Sequence, residues 1–163
     1  MRLDGMGETA LIERLIRKIS ECSHTDPSAF GPTVRLEIGP GDDTAVWDSD
    51  AGQFLITTDT MVEGVHFLAA DGNWDSIGWR SMVSNVSDIA AMGGNPLYAT
   101  VTLGLPGSML VEDFDGIYTG ILSASSKYSV TVVGGDLVRS DTPFITVALT
   151  GLVPNHFLTR RTA

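Results

Sequence analysis

An α/β domain of the α+β type, with helices packed on one face of a mixed β-sheet, is the fold class this sequence predicts, on two observations. Apolar residues recur at helical spacing in three separate stretches. Between and after these stretches lie short β-prone runs bounded by Gly, Pro, Asp and Ser. The resulting order of helix, strands, helix, strand, helix, strands, with short connections, favours helices layered on a single sheet. With 163 residues, 43% of them hydrophobic, the chain can bury one ordinary core, and one domain is expected over residues 1–153.

Between Glu8 and Ser20, Leu11, Ile12, Leu15, Ile16 and Ile19 fall at i, i+1, i+4, i+5 and i+8 and predict the first helix. Cys22 to Pro32 is rich in Ser, Asp and Pro without periodicity and reads as a loop. Val34–Ile38, Thr44–Trp47 and Phe54–Thr58 read as strands, the last two paired across the turn residues Asp48 to Gly52. Asp75 is a candidate N-cap for a helix reaching Met92, where Gly93 and Gly94 stand at a natural stop. On that helix Trp79, Met82, Val83, Val86, Ile89 and Ala90 form a packing side, and Ser81, Ser84, Asn85 and Asp88 an open side. Tyr98–Leu103 alternates like a strand, and Phe114, Ile117, Tyr118, Ile121 and Leu122 give the third helical stripe. Val130–Val133 and Phe144–Val153 close the set of strands. The ending NHFLTRRTA has no cap, turn or apolar stripe, so residues 154–163 read as the start of a connection to a further, carboxy-terminal domain that the chain lacks.

Composition narrows the function. The formal net charge is -10, from 20 acidic against 10 basic residues, which argues against a nucleic-acid surface. No apolar run reaches the ~18 residues of a membrane span, and the amino terminus mixes acidic with apolar residues, unlike a secretory leader. Cys22 is the only cysteine, so a disulfide within the chain and a zinc site built from several cysteines are excluded. A reducing, cytoplasmic setting is expected, with no membrane partner.

Four carboxylates stand where chemistry is possible: Asp43 in a Gly-Asp-Asp turn, Asp59 after the run FLITT, Asp88 on the open helix side, and Asp136 after Val132-Val133-Gly134-Gly135. Singly, each has a plain explanation as a turn or solvating residue. Together, in a chain short of basic partners, they need a cation. Mg²⁺ suits hard oxygen ligands and bridges one or two carboxylates to phosphate oxygens, with the hydroxyls of Thr57 and Thr58 available to the shell. Such a site fits phosphoryl transfer, which depends on positioning and charge neutralisation. No Walker-type loop or kinase glycine loop is present, so any ATP is held differently, with the amides of Gly134 and Gly135 open to a phosphate. His66, seven residues after Asp59, belongs to no HExxH or clustered Cys/His pattern.

The words GPGDDTAV (Gly39 to Val46), TTDTMVEGVHF (Thr57 to Phe67), IGWRSMVSNVSDIAAMGGNP (Ile77 to Pro96) and VVGGDLVRS (Val132 to Ser140) stand in an order and spacing that resembles the thiamine-monophosphate kinases. That family shares a superfamily with aminoimidazole ribonucleotide synthetase, selenophosphate synthetase and the hydrogenase-maturation dehydratase, all users of ATP. The resemblance implies transfer of the ATP γ-phosphoryl to thiamine monophosphate, giving thiamine diphosphate and ADP, with several Mg²⁺ ions. It implies Asp43, Thr57, Thr58, Asp59, Asp88 and Asp136 as magnesium ligands, and His66 as a contact for thiamine monophosphate. Tyr118, Gly135, Asp136 and Arg160 would meet the nucleotide. It further implies a homodimer formed through the sheet, and a carboxy-terminal domain without which the chain alone would be inactive or weak. Two readings compete: a related ATP-dependent synthetase, and a non-catalytic nucleotide-binding or dimerisation module. Selenophosphate synthetase is disfavoured, because Cys22 follows a helix instead of preceding the first strand in a glycine-rich setting.

Overall fold

The computed structural model describes residues 9–10, 12–14, 16–17, 35–38, 42–49, 52–153 and 158–159. One sheet holds six strands: β1 (Arg35–Ile38), β2 (Ala45–Ser49), β3 (Gly52–Val62), β4 (Asn95–Leu105), β5 (Thr131–Arg139) and β6 (Phe144–Val153). Their spatial order is β1-β2-β3-β6-β4-β5, with β4 and β5 parallel and the other pairs antiparallel. The sheet is therefore mixed, as the sequence predicts. The described residues of the first predicted helix are helical, whereas the predicted loop from Cys22 to Pro32 lies outside the described residues.

Two long helices follow, α1 (Trp74–Ala91) between β3 and β4, and α2 (Val111–Tyr128) between β4 and β5. Both lie on one face of the sheet. β6 shows why: Ile145, Val147, Leu149, Gly151 and Val153 are buried and alternate with half-buried neighbours, so one side of the pleat meets the helices. α1 packs on β3, β4 and β6, and α2 packs on α1 and β5. Met82, Ile89, Ile117 and Ile121 from the helices meet Leu55, Val101, Leu103 and Val147 from the strands, all almost fully buried. Each such side chain contributes roughly 1.5–3 kcal/mol on burial.

Several sequence expectations need correction. Asp75 is not the N-cap of α1: the N-cap is Asn73, two residues earlier, with no side-chain cap bond. Asp75 instead places a carboxylate in the first turn, where the helix dipole favours it. Ser81 and Asn85 do not face solvent but are buried, because α1 is covered on a second flank by α2. Ala90 and Leu122, expected to pack, are exposed. β3 and β5 are longer than read, since pairing with neighbouring strands carries Thr, Asp and Gly into the ladder. Asp59 thus lies inside β3, and Gly134 to Asp136 lie inside β5 and do not form a turn. Gly135 is required there by close approach: a Cβ at that position would stand 1.8 Å from the carbonyl oxygen of Val101.

Candidate functional site

The pleat of β3 sorts the central residues. Leu55, Thr57 and Met61 are buried toward the helices, and Asp59 shares their side of the strand but is exposed. β2 accompanies β3 only as far as the pair Ala45–Ile56, so from Thr57 onward that edge of β3 is open to the Asp42–Asp43 turn. Asp42 closes this turn by accepting the Asp43 N–H at 3.1 Å. From α1, Asp88 reaches the same place and accepts a hydrogen bond from the Thr57 hydroxyl at 2.9 Å. Burial raises the Asp88 pKa, the Thr57 hydrogen bond opposes this, and the negative charges of Asp59 and Asp43 raise it further. Asp43, Asp59 and Asp88 therefore share one electrostatic neighbourhood.

Thr58, the next residue along β3, turns to the other side of the strand, and its hydroxyl donates to the Val147 carbonyl at 3.1 Å. A cavity of about 470 Å³ at the open edge is lined by Asp42, Asp43, Thr44, Thr57 and Thr58 among others. Among the described residues, no three His, Cys, Asp or Glu side chains gather closely enough to hold a metal ion by themselves.

Asp136 stands apart. It is paired with Thr102 on β4, which is paired with Thr146 on β6, which is paired with Thr60 on β3. Three strand spacings, roughly 14 Å, separate it from the Asp59 segment. Its carboxylate accepts the Leu137 N–H at 2.9 Å. Gly135, Asp136 and Tyr118 line one cavity of about 510 Å³ together with Leu103, Phe114 and Leu137. The rings of Phe114 and Tyr118 lie 5.6 Å apart at 51°, one helical turn from each other. Three of the four residues expected at a nucleotide thus share a cavity, while Arg160 lies outside the described residues. Thr159 beside it donates its N–H to the Met92 carbonyl at 3.1 Å, near the end of α1.

His66 occupies the turn after β3. Gly64 takes a positive φ of 77° there, and the Val65 and His66 amides both donate to the Val62 carbonyl. The imidazole Nδ1 accepts the Val62 N–H at 3.0 Å, so in the neutral ring the proton resides on Nε2. His66 opens onto a cavity of about 490 Å³ with Phe67, Asp71, Asn73, Ser76 and Arg80. Arg80 donates from Nη2 to the His66 carbonyl. Sequence reasoning gave Arg80, Asp42 and Phe114 no role at the site. The i, i+4 spacing of Phe114 and Tyr118 carried a signal for the last, whereas the contact of Arg80 joins residues 14 apart in sequence and had none.

Comparison with known proteins places this geometry. The profile for AIR synthase related protein, N-terminal domain, matches residues 41–153, the span from the Asp42–Asp43 turn to the end of β6. The chain belongs to that family. Within it, thiamine-monophosphate kinase of Synechococcus elongatus is 40% identical over 125 residues, covering 76% of this chain and 38% of the relative. The Aquifex aeolicus kinase is 36% identical over 151 residues, covering 93% of this chain and 44% of the relative. Among solved structures, AaThiL complexed with AMPPCP and TMP superposes with a TM-score of 0.77 at 36% identity, over 93% of this chain and 43% of that one. The chain thus spans about two fifths of the length of these relatives. Among the described residues, no helix is long and apolar enough to cross a membrane.

Proposed function

We propose that this chain is the amino-terminal half of a thiamine-monophosphate kinase, a cytoplasmic enzyme that moves the γ-phosphoryl of ATP to thiamine monophosphate and yields thiamine diphosphate and ADP. The observation that carries the reading is the Asp88 carboxylate, held by the Thr57 hydroxyl within the electrostatic reach of Asp59 and Asp43, its pKa raised first by burial and then by those like charges. The kinase relatives and the solved complex with AMPPCP and TMP support it.

The donor set fits Mg²⁺. Its atoms are carboxylate and hydroxyl oxygens, the hard ligands this ion prefers, and its carboxylates act on one another as like charges. The carboxylates do not close a shell alone, which suits an ion that keeps waters and shares its coordination with phosphate. Asp43, Asp59, Asp88 and Thr57 would hold metal at the β3 edge, and Asp136 at the nucleotide, whereas the Thr58 hydroxyl lies across the strand from that set, on the Val147 carbonyl. When bound, Mg²⁺ supplies neutralisation of two phosphate groups that otherwise repel.

The chain's own residues then divide the work. Asp88, tied to Thr57, keeps its carboxylate directed to the open edge of β3. Tyr118, Gly135 and Asp136, with Arg160, bind the nucleotide, and Gly135 lets the backbone come close because no Cβ intervenes. His66 offers its Nε2–H to thiamine monophosphate. Transfer is direct and in line, with no covalent enzyme intermediate. The helix-free face of the sheet is the surface through which two copies pair.

A phosphoryl-transfer assay with thiamine monophosphate, ATP and Mg²⁺, run on this chain and on the full-length gene product, tests the proposal. Transfer by the full-length protein, with little by this chain, is the expected result. Absence of transfer in both would move the function to a related ATP-dependent synthetase.

A further inference from the structure

Two hydrogen bonds join α1 to the segment running from β3 into the His66 turn. One is the Thr57 hydroxyl on Asp88, and the other is the Arg80 guanidinium on the His66 carbonyl. Arg80 and Asp88 are eight residues apart on α1, a span of about 12 Å along the helix. The helix therefore grips the carboxylate group at one point and the imidazole turn at another.

The bonds within the turn fix its shape. His66 N–H and Val65 N–H reach the Val62 carbonyl at 2.8 and 3.2 Å, and Gly64 N–H reaches the Phe67 carbonyl at 2.8 Å. Glu63 N–H ties the turn sideways to Pro143 at 2.9 Å. None of these sets where the turn stands relative to the helix that carries Asp88. Arg80 does, together with the edge-on packing of Phe67 on Trp74 at the start of α1, since it extends from the middle of the helix and lines the same cavity as His66.

We infer that Arg80 is a positioning residue, whose grip on the His66 carbonyl sets the span between the imidazole and the carboxylates at the two ends of the acceptor site. The inference rests on the reading of His66 as a contact for thiamine monophosphate. Arg80 acts through His66 and moves no proton or phosphoryl group. A guanidinium suits the task because it stays charged and presents donors on a rigid plane, and its bond to a carbonyl is charge-assisted.

The test uses the full-length protein. Arg80→Ala raises the KM for thiamine monophosphate about tenfold, the loss expected for one charge-assisted hydrogen bond. The KM for ATP stays within about twofold. Arg80→Lys recovers most of the acceptor affinity, since an ammonium can still reach one carbonyl. His66→Ala raises the acceptor KM, and adding Arg80→Ala to it brings no further loss, because both changes remove one coupled unit. Imidazole nitrogen shifts give a readout apart from turnover: Nδ1 keeps its bond from the Val62 N–H, so the tautomer holds, while Arg80→Ala moves the shifts because the turn that carries the ring changes place against α1. An unchanged acceptor KM in Arg80→Ala, or additive losses in the double variant, would overturn the role of Arg80. Should the wild-type protein not phosphorylate thiamine monophosphate, the functional reading fails on its own, and unmoved imidazole shifts would then also sink the positioning role.

Discussion

Asp88 is the residue on which the site's electrostatics converge. Its pKa lies above the ordinary 3.8, first through burial and then through Asp59 and Asp43, so the folded chain holds this proton more tightly than the unfolded chain. Stability from this group is therefore greatest below that ordinary value and declines as pH climbs through the window above it. Asp88→Asn keeps an acceptor for Thr57 and removes the charge. The metal-free variant should melt higher than wild type near pH 7 and lose the advantage near about pH 4, as thermal denaturation at the two pH values would reveal. In the full-length enzyme, Asp59→Asn and Asp88→Asn should each lower kcat by about a hundredfold or more, and unchanged turnover in both would remove the metal assignment. At this scale the sequence was a good guide to residue types and a poor one to grouping. Asp43, Asp59, Asp88 and Asp136 were visible as carboxylates in a chain short of cations, but strand order decided that three share a neighbourhood and that Asp136 stands across the sheet.

At the scale of the element, the crossing of α1 and α2 positions the site. A Cβ on Gly78 would come within 2.0 Å of the Ile117 carbonyl oxygen, and one on Gly120 within 1.8 Å of the Asp75 carbonyl oxygen. The backbones touch, so no side-chain movement relieves the clash. Gly120→Ala should destabilise by about 1–3 kcal/mol despite the gain in helix propensity, whereas Gly134→Ala, with nothing within 4 Å, should not clash. Urea unfolding distinguishes the two. Because α1 carries both Arg80 and Asp88, the first substitution should also lower activity beyond what its stability loss explains. The element record shows what a linear reading can reach. β6 was read with its observed bounds, Phe144 to Val153, since it alternates strictly and prolines flank it. β3 and β5 were cut short, because Thr, Asp and Gly resemble turn residues until neighbouring strands pair with them. The buried Ser81 and Asn85 were taken for an exposed side because a helix covered on two flanks no longer shows one clean stripe.

Across the whole molecule, the net charge of -10 and the carboxylate group at the β3 edge imply a response to divalent ions. Mg²⁺ should raise the melting temperature of the chain more than Na⁺ at equal ionic strength, since site binding adds to general screening. Equal shifts would argue for screening alone. The uncovered face of the sheet carries the half-buried Thr146, Ala148 and Thr150 on its central strand, and Tyr98 exposed nearby. If two copies pair there, Ala148→Lys should shift sedimentation toward the monomer with the circular dichroism unchanged. The strand order carries one more consequence, for biosynthesis. β6 is the last described strand in the chain and yet sits between β3 and β4. While it is still inside the ribosome, the strands already made form two separate ribbons, each with an open hydrogen-bonding edge where β6 belongs. The sheet can join only after β6 has emerged, so the nascent chain waits with two adhesive edges exposed, and a chaperone that shields them would act before β6 leaves the ribosome.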